Sequence, residues 1–285
     1  MRAVSLHRDV IVVTSQLLQA HCTIVRGPIE VSDEQAASSA GPPRAEGPHG
    51  EVAGETFVID SPVLPEELEL LPSLIEQAGF PPANALLSTH GDWDHVLGRI
   101  AFPEAALGCA ESTASRLSAE PGGIQRELRA FDEELLISRP RPLSLGSIQA
   151  LAAPGRCGIG DSELELYPAE GHTRDGMALW IPWSQVLVAG DYLSSVEIPT
   201  LNGGDTLDDY LATLERLRPL LGLAEHVVPG HGPLLEGLSA LEVLEEDSAY
   251  LKDLRERGSE AELPAGRRSR AQRAHHAENV LALRT

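Results

Sequence analysis

The sequence predicts an α/β protein, and two observations support this fold class. Short apolar or β-branched runs of strand length alternate along the chain with longer segments whose apolar residues recur at helical spacing. The side chains best suited to metal ligation come where predicted strands run into loops, the place where a rigid sheet holds functional groups. Because 285 residues are at the upper limit for one hydrophobic core, we expect one large domain with an appendage.

In the first part of the chain, β-branched and apolar runs predict strands over residues 10–13, 22–25, 56–59 and 85–88. Between the last two, residues 65–78 have leucines and an isoleucine at helical spacing, with acidic residues in the first turn, and predict a helix. The last predicted strand leads directly into the segment that is richest in ligand-type residues.

Residues 32–55 interrupt this pattern, because they are rich in Ala, Ser, Gly, Pro and Glu and have no apolar periodicity. Such a composition predicts a long mobile excursion rather than a separate domain. The sequence leaves open whether this excursion covers a pocket as a lid or extends into solvent.

The second half of the chain shows helices, then a block of short strands, then helices again. Helices are predicted over residues 111–117, 124–136, 206–221, 234–257 and about 267–283, and strands over 148–152, 164–167, 177–181, 186–189 and 226–228. Residues 155–160 contain glycines without a GxGxxG pattern or a Walker lysine, and are predicted to form a turn. We expect a main domain over residues 1–257 and a basic helical extension over 258–285.

Charge and cysteine content restrict the function classes. Asp and Glu number 43 against 22 Lys and Arg, and the formal net charge of −21 predicts that the protein does not bind nucleic acid. No apolar stretch approaches membrane-spanning length, so no membrane partner is expected. The three cysteines, Cys22, Cys109 and Cys157, form no CxxC pair and no signal peptide is visible, which together predict a cytoplasmic protein.

Four potential metal ligands lie within six positions in the segment His90-Gly91-Asp92-Trp93-Asp94-His95. Positions two apart cannot share one helix face, so these side chains can converge only from a turn, and a polar surface turn is the alternative interpretation. Three more ligand types follow beside glycines at intervals of 77, 19 and 40 residues, namely His172, Asp191 and His231. Imidazoles and carboxylates in this mixture suit one or two divalent ions that activate a water molecule.

This succession resembles the metallo-β-lactamase-fold hydrolase superfamily, whose pattern is an HxHxDH cluster, a distant His, an Asp after a strand and a final His beside glycine. The similarity runs from about Asp60 to Gly232. It implies a four-layer αββα sandwich of two mixed β-sheets flanked by helices, with metals at one edge. The implied ligands are His90, Asp92 and His172 for the first metal, Asp94, His95 and His231 for the second, and Asp191 as a bridge between them.

Two further residues take roles from the same resemblance. Asp60 matches the strand-terminal aspartate of the family, which would orient the ligand segment without touching metal. Its alternative role is to begin a turn before Pro62. Tyr192, next to Asp191, would donate a hydrogen bond to a substrate oxyanion, or would simply pack in the core.

Asp92 departs from the family pattern, in which histidine is usual at this position. With Asp92, three carboxylates and a hydroxide balance the charge of two divalent ions, and oxygen ligation favours iron or manganese relative to zinc. The di-iron branch of the superfamily also has an acidic residue here, although it normally adds a flavin-binding domain for which this chain has no room. We expect two divalent ions, with zinc first and iron or manganese as alternatives.

The leading hypothesis is therefore a dinuclear metal-dependent hydrolase, in which Asp94 orients a shared hydroxide that attacks a small ester, thioester or lactone. A non-haem di-iron redox or oxygen-handling protein is the alternative, and a non-catalytic ligand sensor is a third. The expected partner is a small-molecule substrate; the oligomeric state is not predicted. Other histidines lack ligand-spaced partners and are expected at the surface or beside strands, or in the basic tail: His7, His21, His49, His226, His275 and His276.

Overall fold

The computed structural model describes residues 1–28, 54–201 and 206–284. The predicted polar excursion at 32–55 therefore lies outside the described residues, apart from its last two positions. Within the described ranges, no helix is both long enough and apolar enough to cross a membrane.

The first sheet has seven strands in chain order. Its first four strands are antiparallel and its last four, from β4 onward, are parallel. The strands are β1 (Arg2–His7), β2 (Val10–Thr14), β3 (His21–Arg26), β4 (Thr56–Asp60), β5 (Ala83–Ser88), β6 (Ala106–Ala110) and β7 (Ile148–Leu151).

The second sheet has five strands in the order β12-β11-β10-β9-β8, with β11 and β12 parallel and the other pairs antiparallel. Its strands are β8 (Gly155–Ile159), β9 (Ser162–Pro168), β10 (Met177–Ile181), β11 (Val186–Gly190) and β12 (His226–Pro229). Both sheets are mixed, as the resemblance implies.

Helices cover the outer face of each sheet and complete four αββα layers. Those on the first sheet are α1 (Pro65–Gln77), α2 (Gly98–Ala101), α3 (Glu111–Ala119) and α4 (Gly123–Leu135). Those on the second sheet are α5 (Thr206–Leu221), α6 (Gly237–Arg257) and α7 (Arg270–Ala282). The predicted fold class is confirmed.

The alternation of side chains along the central strands explains this layering. On β2, Val10 and Val12 belong to the apolar layer between the two sheets, whereas Val13 belongs to the layer under the helices of the first sheet. Successive strand residues point to opposite faces, so a central strand that is apolar at every position is buried on both faces. Strand β10 is likewise buried at all five positions.

The prediction of a turn at residues 155–160 is wrong, because Gly155–Ile159 forms strand β8 and pairs antiparallel with β9. Only Gly160, with φ of 58°, belongs to the tight connection between the two strands. Because glycines are rare in strands, the composition of this segment did not indicate one. Strand β8 lies at the edge of its sheet, where a weak strand former destabilises the sheet less.

Besides β8, two strands were not predicted, β1 and β6. Strand β1 has polar residues between its apolar ones and no buried position, and β6 consists of Ala, Leu, Gly and Cys, residues with little β propensity. In β6, a Cβ at Gly108 would crowd the side chains of Leu87 and Leu151. The strand is defined by its place between β5 and β7 rather than by its own composition.

Candidate metal centre

The ligand segment follows β5 at the edge where its parallel neighbours also end. Strand β5 ends at Ser88, and a single 3₁₀ turn, Trp93–His95, follows three residues after His90. The turn is fixed from two sides: the Ser61 hydroxyl donates to the Asp94 carbonyl at 2.7 Å, and the Gly91 amide donates to Asp175 at 3.0 Å. These bonds turn four side chains inward without a helix, as the spacing predicts.

Asp60 contacts this segment with both of its oxygens. It accepts hydrogen bonds from the Thr89 amide at 2.8 Å and the Thr89 hydroxyl at 2.9 Å, and Oδ2 lies 3.1 Å from Nδ1 of His95. The His95 ring is thereby oriented with Nε2 toward the centre. Asp60 has a φ of 57°, a backbone conformation that is costly for a residue other than glycine, so these contacts hold it in a strained position.

The second sheet contributes the remaining ligand candidates from three loops. His172 lies between β9 and β10, and Asp191 and His231 follow β11 and β12. Because β11 and β12 are parallel, their carboxyl ends meet at one edge, and the amide of Gly230 donates to the carbonyl of Gly190 at 2.6 Å. A Cβ at Gly230 would collide with Oδ1 of Asp191, so only glycine leaves room for that carboxylate.

Six of the seven predicted ligands form two triads, whose donor atoms lie within 4.8 Å of one another inside each triad. The first triad is His90, Asp92 and His172, and the second is Asp94, His95 and His231.

Asp191 lies between the two triads. Its Oδ2 is 3.2 Å from Nε2 of His172 in the first triad and 3.4 Å from Nε2 of His231 in the second. Its Oδ1 is 3.2 Å from Nε2 of His95. One carboxylate therefore approaches imidazoles of both triads, which is the position of a bridging ligand.

The donor set fits divalent metal ions. His90 Nε2, His95 Nε2 and Asp191 Oδ1 are buried and have no hydrogen-bond partner. Buried polar atoms without partners are costly, and coordination to a metal would satisfy all three. Four imidazoles and three carboxylates are the ligand types that zinc, iron and manganese accept.

The centre is electrostatically coupled throughout. Burial alone would raise the pKa of Asp191, but His231, His95 and His172 outweigh it and hold that pKa well below its usual value. Burial would lower the pKa of His95, yet Asp191, Asp60 and Asp94 raise it well above 6.5. The pKa values of His172 and His231 are raised against burial for the same reason, with Asp191 the largest contributor. Because coordination needs a neutral imidazole, these raised pKa values mean that metal binding competes with protonation of the three rings.

Arg116 and Asp175 lie next to the first triad and hold Asp92 in place. The sequence contained no signal for either residue. Arg116, on α3, donates to Oδ1 of Asp92 at 2.6 Å and to Asp175 at 2.8 Å. Asp92 Oδ2 lies 3.5 Å from Nε2 of His90 and 3.8 Å from Nε2 of His172. One oxygen of Asp92 is thus held by the guanidinium, while the other faces the triad. Burial would lower the pKa of Arg116, but the two carboxylates raise it.

Tyr192 is 3% exposed, and its hydroxyl accepts a hydrogen bond from the His172 amide at 3.0 Å. Its ring packs against Tyr210, with ring centroids 4.5 Å apart. Burial is the main reason that the pKa of Tyr192 is raised. These contacts hold the His172 loop in place, and donation from Tyr192 to a substrate stays a prediction.

His21 lies beside the centre at the start of a strand, so of the two expected positions, at the surface or beside a strand, the structure gives the second. It begins β3, is 3% exposed, and its Nδ1 lies 2.7 Å from the Pro229 carbonyl. Its amide also donates to the Gly230 carbonyl at 2.9 Å. Burial is the main cause that lowers the pKa of His21 to about 4. His21 therefore joins the first sheet to the loop that carries His231.

A two-sheet αββα fold with this constellation at one edge defines a metal-dependent hydrolase class, and comparison with known families agrees. The family model of the metallo-beta-lactamase superfamily matches residues 52–231, more than half of the chain. The chain belongs to that superfamily, whose members are mostly metal-dependent hydrolases that bind divalent metals, often zinc.

Similarity to individual proteins is more distant. The chain is 30% identical over 115 residues to the metallo-beta-lactamase type 2 of Bacillus cereus and to that of Bacillus sp. (strain 170). Each alignment covers 39% of this chain and 43% of the relative. The chain thus spans less than half of the length of these curated relatives.

Solved structures share the fold. A metallo-beta-lactamase family protein from Thermus thermophilus has a TM-score of 0.63 at 17% identity, over 88% of this chain and 82% of that one. A beta-lactamase domain protein from Burkholderia ambifaria has a TM-score of 0.60 at 17% identity, over 99% of this chain and 85% of that one.

Proposed function

We propose that this protein is a dinuclear metal-dependent hydrolase that acts on a small ester, thioester or lactone. The observation that carries the proposal is the carboxylate of Asp191, whose Oδ2 lies 3.2 Å from His172 and 3.4 Å from His231, one in each triad. A carboxylate between two three-residue sites can be shared by two ions, which suits two-metal hydrolysis.

The first triad and the second triad would each hold one ion, with Asp191 shared. Divalent ions bound there supply a water-derived nucleophile and polarise the carbonyl oxygen of the substrate. Asp94 is positioned to accept a hydrogen bond from the attacking water, because its Oδ2 is 3.4 Å from His231 and its pKa is lowered by His95 and His231 in spite of burial. It would orient a lone pair of the water toward the substrate.

Arg116 changes how Asp92 would bind the first ion without changing the net charge beside it. Its guanidinium is paired with both Asp92 and Asp175, so the three groups together carry one negative charge, the same as Asp92 alone. The net charge beside the first ion is therefore the same as it would be without Arg116 and Asp175. The positive charge next to Oδ1 makes Asp92 a weaker donor through Oδ2 than a free carboxylate would be.

A small uncharged or weakly charged substrate suits this site better than a polyanion. The net charge of −21 repels phosphate backbones. We therefore infer a small-molecule substrate, and we expect esters, thioesters or lactones to be cleaved faster than phosphodiesters.

The second candidate function, a di-iron redox or oxygen-handling protein, is favoured by one observation, the carboxylate of Asp92 in the first triad. The two functions differ in metal and in reaction. Elemental analysis after purification without added metal, followed by a panel of ester, thioester, lactone and phosphodiester substrates, separates them. Zinc with hydrolysis supports the proposal, whereas tightly held iron with visible absorption and no hydrolysis supports the alternative.

Asp191→Ala provides the mutational test, with Asp209→Ala on the exposed face of α5 as its matched control. We expect Asp191→Ala to lose hydrolysis and Asp209→Ala to keep it. Wild-type rates in Asp191→Ala would rule out a shared nucleophile.

A further inference from the structure

Residues 194–201, called here the rim loop, lie beside the metal centre and belong to neither a helix nor a strand. The loop packs on the glycine that follows His231: a Cβ at Gly232 would crowd the Val196 side chain and lie 3.2 Å from the Ser194 hydroxyl. Glu197 lies near enough to His231, Asp191 and His172 to interact with them electrostatically. The rim loop therefore borders the second triad.

The C-terminal helix α7 holds this loop by side-chain hydrogen bonds to its backbone. Gln272 accepts from the Ile198 amide at 2.7 Å, and Asn279 accepts from the Leu201 amide at 2.8 Å. The side-chain amide of Asn279 donates back to the Pro199 carbonyl at 2.7 Å. Gln272 is 5% exposed and Asn279 is fully buried, so water cannot replace the loop as their hydrogen-bond partner. The side chains and the loop backbone therefore satisfy each other's hydrogen bonds.

Arg267, just before α7, fixes the start of the loop. Its guanidinium is 1% exposed and donates to the carbonyls of Ser194 at 3.1 Å and Glu197 at 2.8 Å. It also pairs with Asp247, which is equally buried, and with Glu246 at 3.0 Å. A buried guanidinium is costly to desolvate, and here its two terminal nitrogens donate to the carboxylates of α6 and the carbonyls of the loop, while Nε has no partner.

These contacts show what the buried polar residues of the C-terminal segment bind, namely the rim loop. The apolar residues of the segment, Val280, Ala282 and Leu283, pack on the core of the second sheet. Gln272 and Asn279 instead form hydrogen bonds with backbone amides and a carbonyl of the rim loop. Because the loop is neither helix nor strand, these backbone groups would otherwise need water as a partner. Val196, in the part of the loop nearest Gly232, is 41% exposed and offers apolar surface beside His231.

We propose that residues 267–283 are a positioning device that holds the rim loop as one wall of the metal centre, so that Val196 and its neighbours select the size of the apolar group bound there. The inference rests on the proposed function for its substrate, an acyl compound whose apolar part packs on this wall. Gln272 and Asn279 are positioning residues, since they act only through the loop.

The test compares the double variant Gln272→Ala/Asn279→Ala with Arg273→Ala/Glu278→Ala, in which two exposed neighbours on the same helix are changed. Zinc content is measured first. Hydrogen–deuterium exchange then follows the peptide that spans 193–201. Finally, the Kd values of the zinc-loaded proteins for ethanethiol and hexanethiol are measured, because a thiolate seeks the metal while its alkyl chain reports on the wall.

We expect the first variant to keep its zinc, to exchange the amides of the rim loop faster, and to change the ratio of the two thiol Kd values by about tenfold, the discrimination that one methylene contact supplies in an apolar pocket. The control should match the wild type in all three. Unchanged exchange, or faster exchange with an unchanged ratio, would overturn the proposal. Failure of the wild type to hydrolyse any ester, thioester or lactone would contradict the proposed function alone, whereas zinc-loaded wild type that binds neither thiol would overturn the inference alone.

Discussion

The guanidinium of Arg116 lies 2.6 Å from Oδ1 of Asp92, the carboxylate that occupies a position where the family usually has histidine. The same guanidinium holds Asp175, which in turn accepts from the amide of Gly91 inside the ligand segment. Arg116 thus connects helix α3 with the first triad at two points. The departure of this position from the family pattern is accompanied here by a cation that fixes the carboxylate of Asp92.

Arg116→Ala should weaken metal binding at the first triad by about tenfold to a hundredfold, the usual cost of losing a partner that orients a ligand. Competition with a chromophoric chelator measures the Kd. Arg126→Ala, which removes an arginine that is 60% exposed, is the control and should leave the Kd unchanged. Equal affinities for the two variants would show that Asp92 does not need Arg116.

Gly230→Ala should abolish tight metal binding, because it displaces Asp191, while the protein stays folded. The added Cβ collides with Oδ1 of Asp191, whereas in Gly222→Ala the nearest atom is 3.6 Å away. Metal content and circular dichroism of the two variants measure the effect. If Gly230→Ala binds as much metal as Gly222→Ala, Asp191 can move without consequence and is not a bridge.

Metal binding should release protons at pH 7. The pKa values of His95, His172 and His231 are raised in the metal-free protein, mainly by Asp191, so these rings carry protons that coordination must displace. Zinc titration by calorimetry in buffers of different ionisation enthalpy counts the protons, and affinity should fall as pH falls. A binding enthalpy that does not depend on the buffer would contradict this prediction.

His21 should make the metal-free protein less stable in acid. Burial lowers its pKa to about 4, against 6.5 for the unfolded chain. The contribution of neutral His21 to the free energy of unfolding is present above pH 6.5. It is lost as pH falls toward 4, because in this range the imidazole takes up a proton only in the unfolded chain. We expect a loss of about 2 kcal/mol between pH 7 and pH 4.5, from the pKa difference.

Urea unfolding of chelator-treated protein at both pH values measures this loss, with His21→Gln as the comparison. Glutamine can still donate to the Pro229 carbonyl but does not titrate in this range. The free energy of unfolding of the variant should therefore fall less than that of the wild type. Equal losses would assign the pH dependence to other groups.

Apolar runs and glycines were sufficient to predict an α/β protein with candidate ligands at strand ends, and the resemblance to the metallo-β-lactamase superfamily implied the αββα layers and the ligand set that the structure brings together. Strand β10 and helix α5 have the predicted bounds. Strand β6 could not be predicted, since its small residues become a strand only between β5 and β7. Arg116 and His21 were out of reach for a similar reason: each lies on an element that meets the centre only through tertiary packing.

The most direct measurement of the central claim is the metal-to-protein ratio of the wild type and of Asp191→Ala, determined by elemental analysis after equilibrium dialysis against zinc. We expect two ions per wild-type chain and fewer in the variant, because the carboxylate that approaches both triads is gone. A wild type that retains no divalent ion, or a variant that retains two as tightly, would contradict a dinuclear centre built around Asp191.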